Sequence, residues 1–128
     1  INSTWGGNLV DMVRATRYLE IYEEDNVLDY VANDAGPKLL KGLHEIRKDF
    51  PDFIWNVRGK GLMCAYDFCS EEMRNKAVKK FHSKHVLVLP CGDVSIRFRP
   101  ALNIPEKDLQ RGLDVTREVL SELKKENA

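Results

Sequence analysis

With 128 residues and 43% apolar content, the chain reads as one globular domain, large enough for a proper core but small for a complete metabolic enzyme. Twenty basic residues balance twenty acidic ones, which argues against bulk attachment to nucleic acid or a membrane surface, and no apolar run is long enough to span a bilayer. The three cysteines, with no CxxC pair and no His/Cys cluster at metal-ligand spacing, read as free thiols of a reducing compartment rather than a zinc site.

The chain opens at Ile1, not methionine, which fits an internal position of a longer protein; processing or numbering would explain it equally. Asn8 followed by Asp11 marks a helix start, a capping side chain with an acid in the first turn. Leu9, Val10, Met12, Val13, Ala15, Leu19 and Tyr22 then recur at helical spacing to about Glu24. Asp25 or Asn26 can cap a second helix, whose stripe runs Val27, Val31, Ala35, Leu39, Leu43, Ile46 and Phe50. Gly36-Pro37 should kink or interrupt it, and Pro51 stops it.

Phe53 to Arg58 and Leu62 to Phe68 read as a hairpin turned by Gly59-Lys60-Gly61. A phosphate-cradling role for Arg58-Gly59-Lys60-Gly61 is the weaker reading, because the spacing of a nucleotide-binding loop is missing. Ser70, with Glu71 and Glu72 after it, caps a third helix with the stripe Met73, Ala77, Val78 and Phe81, and His82 and His85 close it. Val86 to Leu89 and Val94 to Arg99 form a second strand pair turned by Cys91-Gly92-Asp93. Pro105 opens a last helix with the stripe Leu109, Leu113, Thr116, Leu120 and Leu123, and the polar tail from Lys124 should fray. The order ααββαββα predicts an α+β fold, a small antiparallel sheet with helices on one face.

The last strand is the most informative stretch. In Ser95-Ile96-Arg97-Phe98-Arg99-Pro100, alternation puts Ser95, Arg97 and Arg99 on one face and Ile96 and Phe98 on the other. A strand arginine presents a planar fork of donors suited to a carboxylate or phosphate. The alternative is an ordinary solvent-facing strand paired with surface acids. Nucleophilic catalysis has no support: Ser3, Thr4, Cys64 and Cys91 have no recognisable base partner, and all three histidines fall on helices or their ends. Paired carboxylates for acid/base work are not identifiable either.

Three motifs occur in a familiar order: Asn2-Ser3-Thr4-Trp5-Gly6-Gly7-Asn8, Asn56-Val57-Arg58-Gly59-Lys60-Gly61-Leu62-Met63, and Ser95-Ile96-Arg97-Phe98-Arg99-Pro100. With them the chain resembles, over essentially its whole length, the C-terminal small domain of class III pyridoxal-phosphate aminotransferases. Within the family its wording is nearest to the L-lysine 6-transaminases, and the Arg-Phe-Arg-Pro ending is shared with 4-aminobutyrate transaminases. The resemblance implies residues 1–8 as the segment leading in from an absent large domain and residues 9–128 as the small domain. It implies that Thr4 binds the phosphate of pyridoxal 5'-phosphate held by the other subunit of a homodimer, with Gly6 and Gly7 allowing close backbone approach. It implies that Arg97 binds the α-carboxylate of 2-oxoglutarate or glutamate, while Arg99 has a support or salt-bridge role. The Schiff-base lysine belongs to the large domain, so the chain alone is expected to be inactive. Trp5, Leu9 and Met12 would then face the large domain or the other subunit, and the setting would be cytoplasmic or mitochondrial, without nucleic acid or membrane.

The leading expectation is therefore a lysine-to-2-oxoglutarate transaminase. Two others stand beside it: transamination of 4-aminobutyrate or ornithine, and, from a different class, a free-standing α+β module that binds a small carboxylate or a partner.

Overall fold

The structure is a computed structural model that describes residues 3–127; Ile1, and Asn2 with which the first motif begins, lie outside them. Helix α1 (Leu9–Glu24) starts where the sequence predicts, with the Asn8 side-chain oxygen accepting the Asp11 N–H at 3.2 Å. Helix α2 (Val27–Tyr30) does not start with the expected side-chain cap. Asn26 instead adopts a left-handed φ of 50° and makes no cap hydrogen bond, so the backbone itself turns the chain between the two helices.

The kink or interruption expected at Gly36-Pro37 takes the form of a π-helical turn just before it, Val31–Ala35, through which α2 runs on into α3 (Gly36–Asp49). Pro37 thereby falls in the first turn of α3, where a missing donor costs least. Gly36 is needed for a different reason. A Cβ there would stand 2.5 Å from the Val31 carbonyl oxygen and 2.8 Å from Gly61 Cα, because a hairpin turn rests against the helix at this point.

That hairpin joins β1 (Ile54–Lys60) to β2 (Met63–Phe68). Its turn lies one step later than predicted: Lys60 already pairs with Met63, and Gly61, with φ of 56°, takes the left-handed position. Gly59 belongs to the ladder, opposite Cys64. A bulge between Trp55 and Arg58 interrupts the register, with Asn56 at φ 49°, and returns Trp55 and Arg58 to the same face of the sheet.

Helix α4 (Glu71–Ser83) is capped as predicted by Ser70, whose hydroxyl accepts the Met73 N–H at 3.2 Å. Strand β3 (Leu89–Cys91) is later and shorter than expected, since the Val86 N–H turns back to the Phe81 carbonyl at 3.0 Å and His85 has φ of 60°. It is an edge strand, where Pro90 is tolerated. Strand β4 (Ser95–Phe98) ends before Arg99, which therefore lies outside the sheet. Helix α5 (Glu106–Glu126) does not fray from Lys124. Lys80 reaches Glu126 at 2.7 Å across the α4–α5 seam, and the Asn127 side chain donates to the Leu123 carbonyl at 2.6 Å.

The sheet is antiparallel throughout, in the order β1-β2-β4-β3. Helices α3 and α4 pack on one face, and α5 packs against both of them. The result is the predicted α+β arrangement, with the second helix in two pieces around the π turn. Ile54, Tyr66, Phe68 and Ile96 are fully buried between sheet and helices, against Leu43, Phe81, Val119 and Leu120. Helix α1 has no buried residue at all; Leu9 is 77% exposed.

Candidate functional site

The uncovered face of the sheet is built by simple alternation. Ile96 is buried and Phe98 packs against the core, with its ring 5.7 Å from that of Tyr66, so Ser95 and Arg97 point the other way, as the sequence predicts. The register sets two rows across this face. Trp55, Asp67, Ser95 and Cys91 are cross-strand neighbours in one; Arg58, Ala65, Arg97 and Leu89 are neighbours in the next.

Asp67 is the centre of the first row and is only 6% exposed. One of its oxygens accepts from the Arg58 guanidinium at 2.8 Å and from the Ser95 hydroxyl at 2.5 Å; the other accepts from the Asn56 amide at 2.7 Å. A second Arg58 nitrogen donates to Ser95 Oγ at 3.2 Å. Burial pushes the Asp67 carboxyl upward, but the bonds from Ser95, Asn56 and Arg58, with the Arg58 charge, outweigh it and hold the group below the ordinary carboxylate value. Sequence reasoning placed Ser95 here but missed Asp67 and Asn56. The signal was an acid at the second position of Tyr66-Asp67-Phe68, between two aromatic residues of a strand, where an ionised group needs partners.

Arg97 is half-buried. Its Nε is buried with no hydrogen-bond partner, and among the described residues its guanidinium enters no ion pair. Ala65 is its cross-strand neighbour on β2. Arg97 and Arg99 also line a groove of about 390 Å³ with Leu89, Ile104, Asp108 and Arg111. Arg99 is exposed in the loop after β4 and has no acid partner among the described residues, so the salt bridge expected for it is not made within this domain.

Thr4 lies elsewhere, in the turn before α1. The Gly6 N–H donates to the Ser3 carbonyl at 3.1 Å and the Asn8 N–H to the Trp5 carbonyl at 3.2 Å, while Gly7 has φ of 76°. Asn8 caps the helix, which leaves the exposed Thr4 hydroxyl without a hydrogen bond among the described residues. Trp5 is 73% exposed. Thr4 is not among the residues of the Arg97 groove, so within this chain the two predicted site residues stand apart. His44 and His82 are exposed on α3 and α4, and His85 follows α4 at the groove.

Comparison with known proteins adds the wider setting. The Aminotransferase class-III family profile matches residues 1–120. The L-lysine-epsilon aminotransferase of Amycolatopsis lactamdurans is 45% identical over 115 residues, covering 89% of this chain and 25% of the relative. The mitochondrial 4-aminobutyrate aminotransferase of Sus scrofa is 33% identical over 124 residues, covering 97% and 25%. The solved lysine aminotransferase from M. tuberculosis superposes with a TM-score of 0.87 at 36% identity, over 94% of this chain and 28% of that one. The chain thus spans about a quarter of the length of the curated relatives it matches. Fold, motif order and profile agree, and the chain belongs to the class-III aminotransferase family.

Proposed function

We propose that the chain is the C-terminal small domain, with its lead-in residues 1–8, of a pyridoxal-phosphate-dependent enzyme that moves the ε-amino group of lysine to 2-oxoglutarate. The observation that carries the site is Arg97: a half-buried guanidinium on the open sheet face whose nearby acid, Asp67, is already bonded to Arg58. Such a fork is suited to the carboxylate of an incoming acid. The amino donor rests on the higher identity to lysine-epsilon aminotransferases than to 4-aminobutyrate aminotransferases.

The lead-in turn fits the cofactor's phosphate in a limited way. Thr4 offers an exposed hydroxyl unengaged among the described residues, and a Cβ added to Gly7 would meet nothing within 4 Å, so an anionic oxygen can approach the turn. The bound cofactor supplies the electron sink for exchanging an amino group with a keto group. In this reading Thr4 donates to that phosphate from across a homodimer interface, and Arg97 orients 2-oxoglutarate or glutamate. Every other group that the chemistry needs comes from outside the chain. A cytoplasmic setting suits its three free thiols.

The test is amino-donor competition in the full-length protein with 2-oxoglutarate as acceptor. Glutamate should form fastest from lysine, and residues 1–128 alone should form none. Faster turnover of 4-aminobutyrate or ornithine would overturn the donor assignment; no turnover with any donor would overturn the enzyme and favour a carboxylate-binding module.

A further inference from the structure

Arg58 and Arg97 flank Ala65 from the two neighbouring strands, and Asp67 lies one row away on the same face. Asp67 pairs with Ser95 and Ala65 with Arg97, so Asp67 and Arg97 are diagonal neighbours. Positions so related stand about 7–8 Å apart, within reach of a long side chain. A buried carboxylate is poorly solvated and needs a cation close by. Two cations therefore compete for one acid, and the structure shows which wins. Arg58 contacts Asp67 at 2.8 Å and Ser95 at 3.2 Å, while Arg97 stays out of any ion pair among the described residues. The bulge at Asn56 is what places Arg58 on this face, and Asn56 itself fills the second Asp67 oxygen.

We propose that Arg58 is a positioning residue for Arg97: by holding Asp67 it keeps that acid from capturing the guanidinium meant for a substrate carboxylate. This rests on the reading of Arg97 as the carboxylate ligand. An uncharged residue at position 58 leaves Asp67 ionised with Arg97 as its nearest strand neighbour able to neutralise it. Arg97 then swings toward Asp67, and a dicarboxylate must displace that internal bond in order to bind.

The experiment uses the full-length holoenzyme and two readouts: binding of glutarate, a dicarboxylate that cannot accept an amino group, followed by calorimetry, and the separate lysine and 2-oxoglutarate half-reactions. Arg58→Met should weaken glutarate binding and raise KM for 2-oxoglutarate by about tenfold, the scale of coupling between neighbouring charges, with the lysine half-reaction unchanged. Arg58→Gln carries the same expectation should Arg58→Met unfold. Adding Asp67→Asn to either should restore glutarate binding, and Arg58→Lys should retain it. Unchanged glutarate binding in the Arg58 variants, equal losses in both half-reactions, or no recovery with Asp67→Asn would overturn the inference. Arg97→Lys is the control. If it weakens glutarate binding and the Arg58 variants do not, only this inference falls; if Arg97→Lys has no effect either, the underlying reading of Arg97 falls with it.

Discussion

Tyr66, Phe68 and Ile96 lie fully buried on the side of the sheet that meets α3 and α4, in contact with residues such as Phe81. One residue along the same strands, on the opposite side, stand Ala65, Asp67, Ser95 and Arg97, of which Asp67 and Ser95 are held by hydrogen bonds and the Arg58 ion pair instead of packing. The backbone is shared, yet substitutions on the two sides should report on different properties. The covered side holds the domain together, because each side chain there excludes water and fills space. The open side contributes little apolar burial and keeps one cation available.

The largest effect expected is on the covered side. Phe68→Ala should lower the unfolding free energy of the domain by about 3–5 kcal/mol, transfer loss plus cavity, read as a fall in the urea midpoint. A loss below that range with retained activity would blur the distinction between the faces. Next comes Arg97→Lys in the full-length enzyme. It should cost about 2–3 kcal/mol in the 2-oxoglutarate half-reaction, where a bidentate fork is lost, and little in the lysine half-reaction or in stability. Single-turnover absorbance of the bound cofactor follows each half, and equal losses would make Arg97 a structural residue. Thr4→Ala should weaken pyridoxal-phosphate affinity by about 1.5 kcal/mol, one hydrogen bond to a charged group, with unfolding unchanged. Titration of the apo-enzyme measures it, and unchanged affinity would remove Thr4 from the site.

The smallest effect is the pH dependence of the open side. Because the folded Asp67 carboxyl is held below its ordinary value of 3.8, the stability it contributes is fully present above that value. It is lost as pH falls through the depressed folded value, where protonation breaks the bonds from Arg58, Ser95 and Asn56. Asp67→Asn should flatten this acid limb of the stability profile and leave its slope near neutrality unchanged. A limb that persists in Asp67→Asn must belong to other acids, with the α4–α5 pairs of Glu118 and Glu122 next in line.

Helix α1 marks the boundary of what amphipathic patterning can say. Its apolar residues were as legible in sequence as those of α5, yet Leu9, Val10, Met12, Val13 and Leu19 are exposed while Leu113, Val119, Leu120 and Leu123 are buried. A periodic apolar face predicts that something covers it; it does not carry the identity of the cover. For α5 the cover is α3 and α4. For α1, whose main packing is against α2, no described residue buries Leu9 to Leu19, in keeping with a chain that spans a quarter of its relatives.

The amino-acid sequence alone determined the helix starts at Asn8 and Ser70, the order ααββαββα and the two-sided alternation of Ser95 to Phe98. Each of these depends on interactions that reach no farther than about four residues, so a local window contains the whole cause. Tertiary structure alone decided the π turn where the hairpin presses on Gly36, the bulge that turns Arg58 onto the open face, the partners of Asp67 and the firm end of α5. Their causes join distant positions: Arg58 to Ser95 are 37 residues apart and Lys80 to Glu126 are 46. Which of two arginines neutralises a buried acid is set by strand register, and register exists only once the strands have paired.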